Sequence, residues 1–327
     1  REASLLADRS ERATQVGLNC DVIESLFRVI LWASRDRQAS LGAELPPDME
    51  SKTIAIIGGH GGIGQLLCHV FRDFGHEVIL ADLDTPLTNI DAVKDADVVA
   101  IAVPIASTVE VIKEIGPHCK KDALLFDVTS TKTLPIKTML DYFDGSVIGT
   151  HPLFGPNVHS LQGQKIAVIC GRDNGEWHNW LCSILSARGL SILDTTAEEH
   201  DKAMGIVQVL THQTTEVLGR TIQKLNVDIH RTLEFTSPIY LMELLMAARH
   251  FAQSADLYAS IQINNPETPR VLEELRKAGD ELRTIVLEKD YDKFRAIFSE
   301  VHEHFGEFSE QALEQSSFLI DRLVERG

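Results

Sequence analysis

Gly59, Gly61 and Gly64 sit at G-x-G-x-x-G spacing within Lys52 to Asp84, KTIAIIGGHGGIGQLLCHVFRDFGHEVILADLD. Glycines at these offsets suit a pyrophosphate. Gly59 permits a tight turn, Gly61 lets the backbone approach the phosphates, and Gly64 lets a helix lie close to a strand. The first helical residues, Gly62 and Ile63, then present N–H groups at the positive end of the helix dipole. Asp82 follows at the distance of a ribose-binding carboxylate, which accepts hydrogen bonds from the hydroxyls and repels a 2′-phosphate. No Arg comes after it in Leu83-Asp84-Thr85, so the expected cofactor is NAD rather than NADP.

Further on, polar groups follow apolar runs. Ser130 and Lys132 lie in FDVTSTK, and His151 lies in VIGTHPLFGP. Ligands of a parallel sheet collect beyond the carboxyl ends of its strands. With Pro152 and a Gly-Pro turn behind it, His151 is expected to have left the sheet and to point its imidazole into the crevice. There a neutral His accepts an alcohol proton as hydride leaves the same carbon; the plainer alternative is a His that caps a turn. Gln208 and His212 share a helix face, with His200 near that helix's start, and they either line a pocket or form a solvated side. Arg249 falls in SPIYLMELLMAARHF (Ser237 to Phe251), which is apolar nearly all round. A guanidinium buried there either pairs with a neighbour such as Glu243 or receives a substrate carboxylate. There is no HExxH or Cys/His ligand spacing, so no metal is expected.

These residues need elements to hold them. Apolar runs at 53–57, 78–81, 97–103, 123–127, 146–150, 165–170 and 191–194 alternate with helical patterns such as 108–115 and 177–188. That alternation predicts a mostly parallel sheet with helices on both faces. Thr195-Thr196 followed by Glu198-Glu199 gives a capping box, after which strand patterns cease. The expected fold class is an α/β Rossmann-type dinucleotide-binding domain (52–195) plus an all-α C-terminal domain (196–327). Ahead of them come short N-terminal helices (1–44), with Asn19 or Asp21 as a cap, and a linker (45–51) containing Pro46 and Pro47. Helices this few cannot bury a core alone and need a partner. The stripe Phe294, Ile297, Phe298, Val301, Phe305 and Phe308 serves a domain core or a dimer interface.

A chain of 327 residues suggests two or three domains, and its net charge of −17 argues against nucleic acid as a partner. Local Arg or Lys still suffices for a small anionic substrate. Five scattered cysteines without C-x-x-C read as reduced thiols, and no run reaches the length of a membrane span; a cytoplasmic protein is expected. The first residue is Arg1 within a helical pattern, so the chain is expected to be cut from a longer protein.

Taken in order, GGHGGIG, AVPI (Ala102 to Ile105), DVTSTK, THPLFGP, EEHDKAM, SPIY and AARHFAQ resemble bacterial prephenate dehydrogenase. The first 44 residues resemble the end of an AroQ-type chorismate mutase, as in the bifunctional chorismate mutase/prephenate dehydrogenases, without the opening helix. The resemblance spans essentially the whole chain. It implies oxidative decarboxylation of prephenate by NAD to 4-hydroxyphenylpyruvate, CO2 and NADH in tyrosine biosynthesis. It further implies tyrosine as feedback inhibitor and a homodimer. By residue, it implies His151 as catalytic base, Ser130 beside it, and Lys132 in the same loop. Arg249 would hold a substrate carboxylate, with His212, Gln208 and His200 at the substrate pocket and Val103 and Pro104 beside the cofactor. Arg1, Glu2, Ser34 and Gln38 match mutase residues, but the helix supplying most of that site's cations is missing, so no mutase activity is expected. The rivals are an arogenate or cyclohexadienyl dehydrogenase, a β-hydroxyacid dehydrogenase, and a non-catalytic NAD-binding regulator that senses tyrosine. The β-hydroxyacid class wants a catalytic Lys that is not found in place.

Overall fold

The computed structural model describes residues 2–41, 50–158 and 160–324. Arg1, the side chain of Gln38 and most of the expected linker lie outside the described residues. The chain divides into two compact units, residues 1–200 and 201–327.

The first unit opens with helices α1 (Glu2–Gln15) and α2 (Cys20–Leu41). Of the two candidate caps, Asn19 is the one used: its Oδ1 accepts from the N–H of Val22 at 3.3 Å. Along α2, Leu26, Val29 and Ile30 remain more than half exposed, so among the described residues this stripe stays largely open. Glu2 and Ser34 are exposed.

The rest of the unit is a seven-stranded sheet. Its strands are β1 (Thr53–Ile57), β2 (Glu77–Ala81), β3 (Val98–Ile101), β4 (Leu124–Asp127), β5 (Ser146–Pro152), β6 (Lys165–Arg172) and β7 (Ser191–Asp194). They lie in the order β2-β1-β3-β4-β5-β6-β7. β1 to β5 run parallel, β6 is antiparallel to β5, and β7 is parallel to β6. The order reverses at β1 and β3, which makes their carboxyl ends the crevice of a doubly wound sheet.

Alternation along the strands builds the two halves of the core. Ile54, Ile56, Val98, Ala100, Leu124, Phe126, Ile148 and Val168 face one side. Helices α3 (Gly62–Asp73) and α7 (Trp177–Ala187) cover that side, with the Phe71 and Trp180 rings stacked at 6.2 Å. Ala55, Ile57, Val99, Ile101, Leu125 and Val147 face the other side. They pack under α4 (Asn89–Val93), α5 (Ile105–Ile115) and α6 (Thr133–Tyr142). The central strands are buried on both faces and read as near-continuous apolar runs for that reason. Helix α8 (Ala197–Met204) starts at the expected capping box: Thr196 Oγ1 accepts from the N–H of Glu199 at 3.1 Å, and Glu199 Oε2 accepts from the N–H of Thr196 at 3.4 Å.

The second unit is helical among the described residues. A π turn, Gly205–Leu210, precedes α9 (Thr211–Lys224). There follow α10 (Ile229–Leu233), α11 (Pro238–Phe251), α12 (Ala255–Asn264), α13 (Thr268–Glu288), α14 (Tyr291–Phe305) and α15 (Phe308–Val324). Helix α11 departs from expectation. Its apolar sequence predicts burial on most faces, yet Ile239, Leu245, Met246 and Phe251 are exposed, and Arg249 is exposed with them. Among the described residues these positions of α11 lack full cover, and Phe298, Val301, Phe305 and Phe308 are likewise exposed. Among the described residues no helix is long and apolar enough to cross a membrane.

Candidate active site

The glycine loop leaves β1 and enters α3, and close approach fixes each glycine. The left-handed conformation belongs to Gly58 (φ +82°), the residue just before the motif's first glycine. At Gly59 a Cβ would sit 1.5 Å from Leu80 Cδ2 of β2, so that side chain would have to shift to admit one. Gly64 fills its expected role, since a Cβ would stand 2.3 Å from the carbonyl oxygen of Gly58. Gly61 is the helix N-cap and offers no side-chain cap, which leaves the N–H groups of Gly62 and Ile63 at the positive helix end for an anionic ligand. A Cβ on Gly58 would meet the backbone of Ala102 and Val103 at 2.8 and 2.9 Å, so Val103 flanks the loop. Pro104 next to it caps α5. A Cβ on Gly62 would lie 2.6 Å from the Pro156 ring, so the segment after β5 also packs on the loop.

Asp82 follows β2 at this edge. Its Oδ2 accepts from the N–H of His60 at 2.9 Å and its Oδ1 from the N–H of Leu83 at 2.7 Å. Two bonds leave a carboxylate with lone pairs for ribose hydroxyls. Leu83 is fully exposed and Asp84 binds the His60 ring at 2.7 Å, so neither Lys nor Arg stands in Leu83-Asp84-Thr85 to receive a 2′-phosphate. Side-chain-free glycines, an uncapped helix end and this carboxylate fit a dinucleotide of the NAD type.

Behind the crevice stands a buried polar knot. Lys132 and Asp127 form an ion pair with both side chains at 0% exposure. The Lys132 ammonium also donates to the Thr150 carbonyl at 2.6 Å, and Thr150 Oγ1 donates to the Asp127 carbonyl at 2.7 Å. Thr129 adds its N–H and its hydroxyl to the same carboxylate oxygen of Asp127. Lys132 thus ties the ends of β4 and β5 together, while Ser130 in the same loop is half-buried.

His151 has not left the sheet. It belongs to β5, as does Pro152, and pairs with Ala167 of antiparallel β6. Proline is tolerated there because the N–H of the next residue, Leu153, donates to the Lys165 carbonyl at 2.9 Å, and in the alternating antiparallel ladder Pro152 falls on a pair that exchanges no bonds with β6. The His151 side chain is 3% exposed, and its Nδ1 lies 2.9 Å from Nε2 of His200, also 3% exposed, at the start of α8. One ring must donate and the other accept, so the pair cannot carry a proton on both facing nitrogens. With His151 Nδ1–H donating to His200, the lone pair of His151 resides on Nε2, the arrangement a general base requires. The resemblance implies His200 at the substrate pocket; its isolated position in the sequence gives no sign of a partner for His151.

The second unit gathers Gln208, His212 and residues near Arg249. Gln208, in the π turn, and His212, in the first turn of α9, are half-buried. The His212 ring meets Tyr258 at 4.8 Å and His250 at 5.4 Å, and the His250 and Tyr258 rings stack at 3.8 Å. Glu216 Oε1 bonds His250 Nε2 at 3.0 Å and accepts from Gln262 at 2.8 Å. Burial, and after it the neighbouring His250, holds the His212 pKa below its ordinary value, with Glu216 opposing. Burial raises the Tyr258 pKa, and the nearby Arg249 guanidinium opposes that rise. Arg249 has no ion pair among the described contacts, so the alternative of pairing with Glu243 is not realised. Sequence reading missed Glu216, His250 and Tyr258. Glu216 continues the four-residue spacing of Gln208 and His212, a signal that was there to be followed.

Fold and site together define a dinucleotide-binding unit of Rossmann type joined to a helical unit. The profile described as "Prephenate dehydrogenase, nucleotide-binding domain" matches residues 77–192, and "Prephenate dehydrogenase, dimerization domain" matches 196–300. The T-protein of Haemophilus influenzae is 33% identical over 322 residues, covering 98% of this chain and 85% of that protein. The "Probable arogenate/prephenate dehydrogenase" of Methanocaldococcus jannaschii is 37% identical over 272 residues, 78% of this chain and 61% of that one. Among solved structures, prephenate dehydrogenase from A. aeolicus in complex with hydroxyphenyl propionate and NAD+ aligns with a TM-score of 0.65 at 16% identity, covering 79% of this chain and 98% of that one. The chain belongs to the prephenate dehydrogenase family.

Proposed function

We propose that this chain oxidises prephenate with NAD, releasing 4-hydroxyphenylpyruvate, CO2 and NADH as a step toward tyrosine. The observation that carries the reading is the buried His151, its Nδ1 engaged by His200 at the sheet edge that also bears the glycine loop and Asp82. Gly61, Gly62, Ile63 and Asp82 hold the cofactor, with Val103 and Pro104 beside it. Bound NAD supplies the hydride acceptor. His151 Nε2 takes the proton of the ring hydroxyl while hydride leaves the carbon that bears it. The ring carboxylate departs as CO2, and the electron pair of the broken C–C bond enters the ring. Aromaticity drives that loss, so the protein need only bind, orient and accept a proton. The neutral His200 ring accepts from His151 Nδ1–H and steadies the imidazolium that forms.

Ser130 borders this site, and Lys132 acts on it by holding β4 and β5 in register. Arg249 is the proposed receptor of a substrate carboxylate, and His212 and Gln208 are the proposed contacts of the substrate side chain. Tyrosine, sharing that end's chemistry, competes for it. The exposed apolar faces of α11 and α14 support a homodimer, and the reading fits a cytoplasmic enzyme. The mutase-like helices α1 and α2 link it to family members with chorismate mutase as a second activity; none is assigned to this chain.

The second reading, an arogenate dehydrogenase, is favoured by the Methanocaldococcus jannaschii relative, whose name carries both substrates. NADH absorbance with prephenate or arogenate as sole substrate separates the two. Turnover of prephenate at the higher kcat/KM supports the proposal. Preference for arogenate replaces it with the second reading, and turnover of neither overturns both.

A further inference from the structure

On the sheet face opposite His151, α7 and the end of β7 bring together three metal-ligating side chains that the dehydrogenase chemistry does not use. Two are on α7, one turn apart: the Cys182 sulfur lies 3.8 Å from Nε2 of His178. The third is Asp194, the last residue of β7, whose Oδ1 lies 2.9 Å from the same nitrogen. Their donor atoms all fall within 4.8 Å of one another. Strand alternation puts Asp194 on the side of Ile192, which packs into the core under α7. His151 shares the side of Gly149, where a Cβ would meet Ile136 of the other core half.

We propose that His178, Cys182 and Asp194 form a zinc site that clamps α7 to β7, with water completing the coordination. With Zn–N and Zn–O near 2.0 Å and Zn–S near 2.3 Å, tetrahedral donors stand about 3.3–3.5 Å apart. The two distances given above lie within about half an ångström of that range. Mixed nitrogen, sulfur and oxygen donors suit a borderline-soft ion such as Zn2+ rather than Mg2+ or Ca2+.

The local charge points the same way. Asp194 meets only His178 among the described ion pairs. Burial, followed by Asp194 and Cys170, pushes the Cys182 thiol up to about 11. Cys170, on the neighbouring strand, is raised as well, by burial and then by Asp173 and Asp194. The acidic Asp194 beside the thiol favours a cation, while burial, the first cause, makes loss of the thiol proton a cost that metal binding has to offset. Entry is open, since the Asp194 side chain is 66% exposed. On binding, the Cys182 proton passes to solvent and the His178–Asp194 hydrogen bond gives way to two metal bonds. Affinity therefore rises with pH. The sequence did not announce the site, because the third ligand lies on another element twelve residues beyond Cys182.

The test uses the full chain, stripped of metal and titrated with cobalt(II) as a spectroscopic stand-in for zinc. A thiolate-to-cobalt charge-transfer band that saturates at one equivalent and is displaced by zinc is expected. Cys182→Ser should abolish the band, Asp194→Asn should weaken binding at least about tenfold, and Cys119→Ser, in the core elsewhere, should leave it unchanged. In the wild-type chain zinc should slow alkylation of Cys182, read by peptide mass spectrometry, which avoids any folding defect of the variants. No charge-transfer band, a band that survives Cys182→Ser, or alkylation unaffected by zinc each overturns the proposal.

Discussion

Replacing Lys132 by Met removes the cation from the pair that joins β4 to β5. Both partners have fully buried side chains, so the Asp127 charge cannot turn to water. Only the Thr129 N–H and hydroxyl would remain on the carboxylate oxygen that Lys132 had shared, and the Thr150 carbonyl would lose its donor. A buried charge stripped of its partner costs about 3–5 kcal/mol. At about 4 kcal/mol, and about 2–4 °C per kcal/mol for a unit of this size, Tm should fall by roughly 8–16 °C. Urea unfolding followed by tryptophan fluorescence reads this unit, because Trp180 stacks on Phe71 in its core. Adding Asp127→Asn to Lys132→Met removes both charges and should return stability to within about 1–2 kcal/mol of wild type. A single variant that loses less than about 1 kcal/mol, or a double variant as unstable as the single, would refute the claim that a buried charge pair sets the stability here.

Two further outcomes follow from the histidines. His200→Leu takes away the acceptor for His151 Nδ1–H and should lower kcat with prephenate by about tenfold to a hundredfold, short of losing the base itself. His200→Gln, whose side-chain carbonyl still accepts, should recover much of that, and equal losses in both variants would remove His200 from its positioning role. For His212, a folded pKa below the ordinary 6.5 means the unfolded chain binds more protons as pH drops. Its contribution to stability is then complete above 6.5 and declines as pH falls from there through the folded pKa. The urea midpoint should therefore drop on acidification and drop less in His212→Asn; an NMR titration of His212 with its midpoint at or above 6.5 contradicts this.

All seven strands could be read from apolar runs, and the central ones, parallel and buried on both faces, carry the near-continuous hydrophobic signature. The glycine loop was legible in outline only. Spacing names Gly59, Gly61 and Gly64 but not Gly58, which takes positive φ and whose Cβ would meet the backbone of Ala102. His151 looked like a loop residue because Pro152 follows it. The N–H that Pro152 lacks is not one that β6 would bond, and antiparallel β6 supplies the pairing. Short α4 and α6 were missed for want of enough apolar repeats. The buried Lys132–Asp127 pair and the His151–His200 pair join residues 5 and 49 positions apart. Neither leaves a local pattern, since side-chain pairing across elements is set by packing. Arg249 was misjudged because its neighbours are apolar. Their exposure in the single chain shows that an apolar helix signals a surface to be covered, whatever covers it.

The most direct measurement of the central claim compares wild type with His151→Asn in two readings, NADH formation from prephenate and NAD binding by calorimetry. Turnover should fall by about 10²–10⁴ while NAD affinity stays within a few-fold, as expected for a base that is not needed to hold the cofactor. Undiminished turnover in the variant, or loss of NAD binding in step with turnover, would contradict the account.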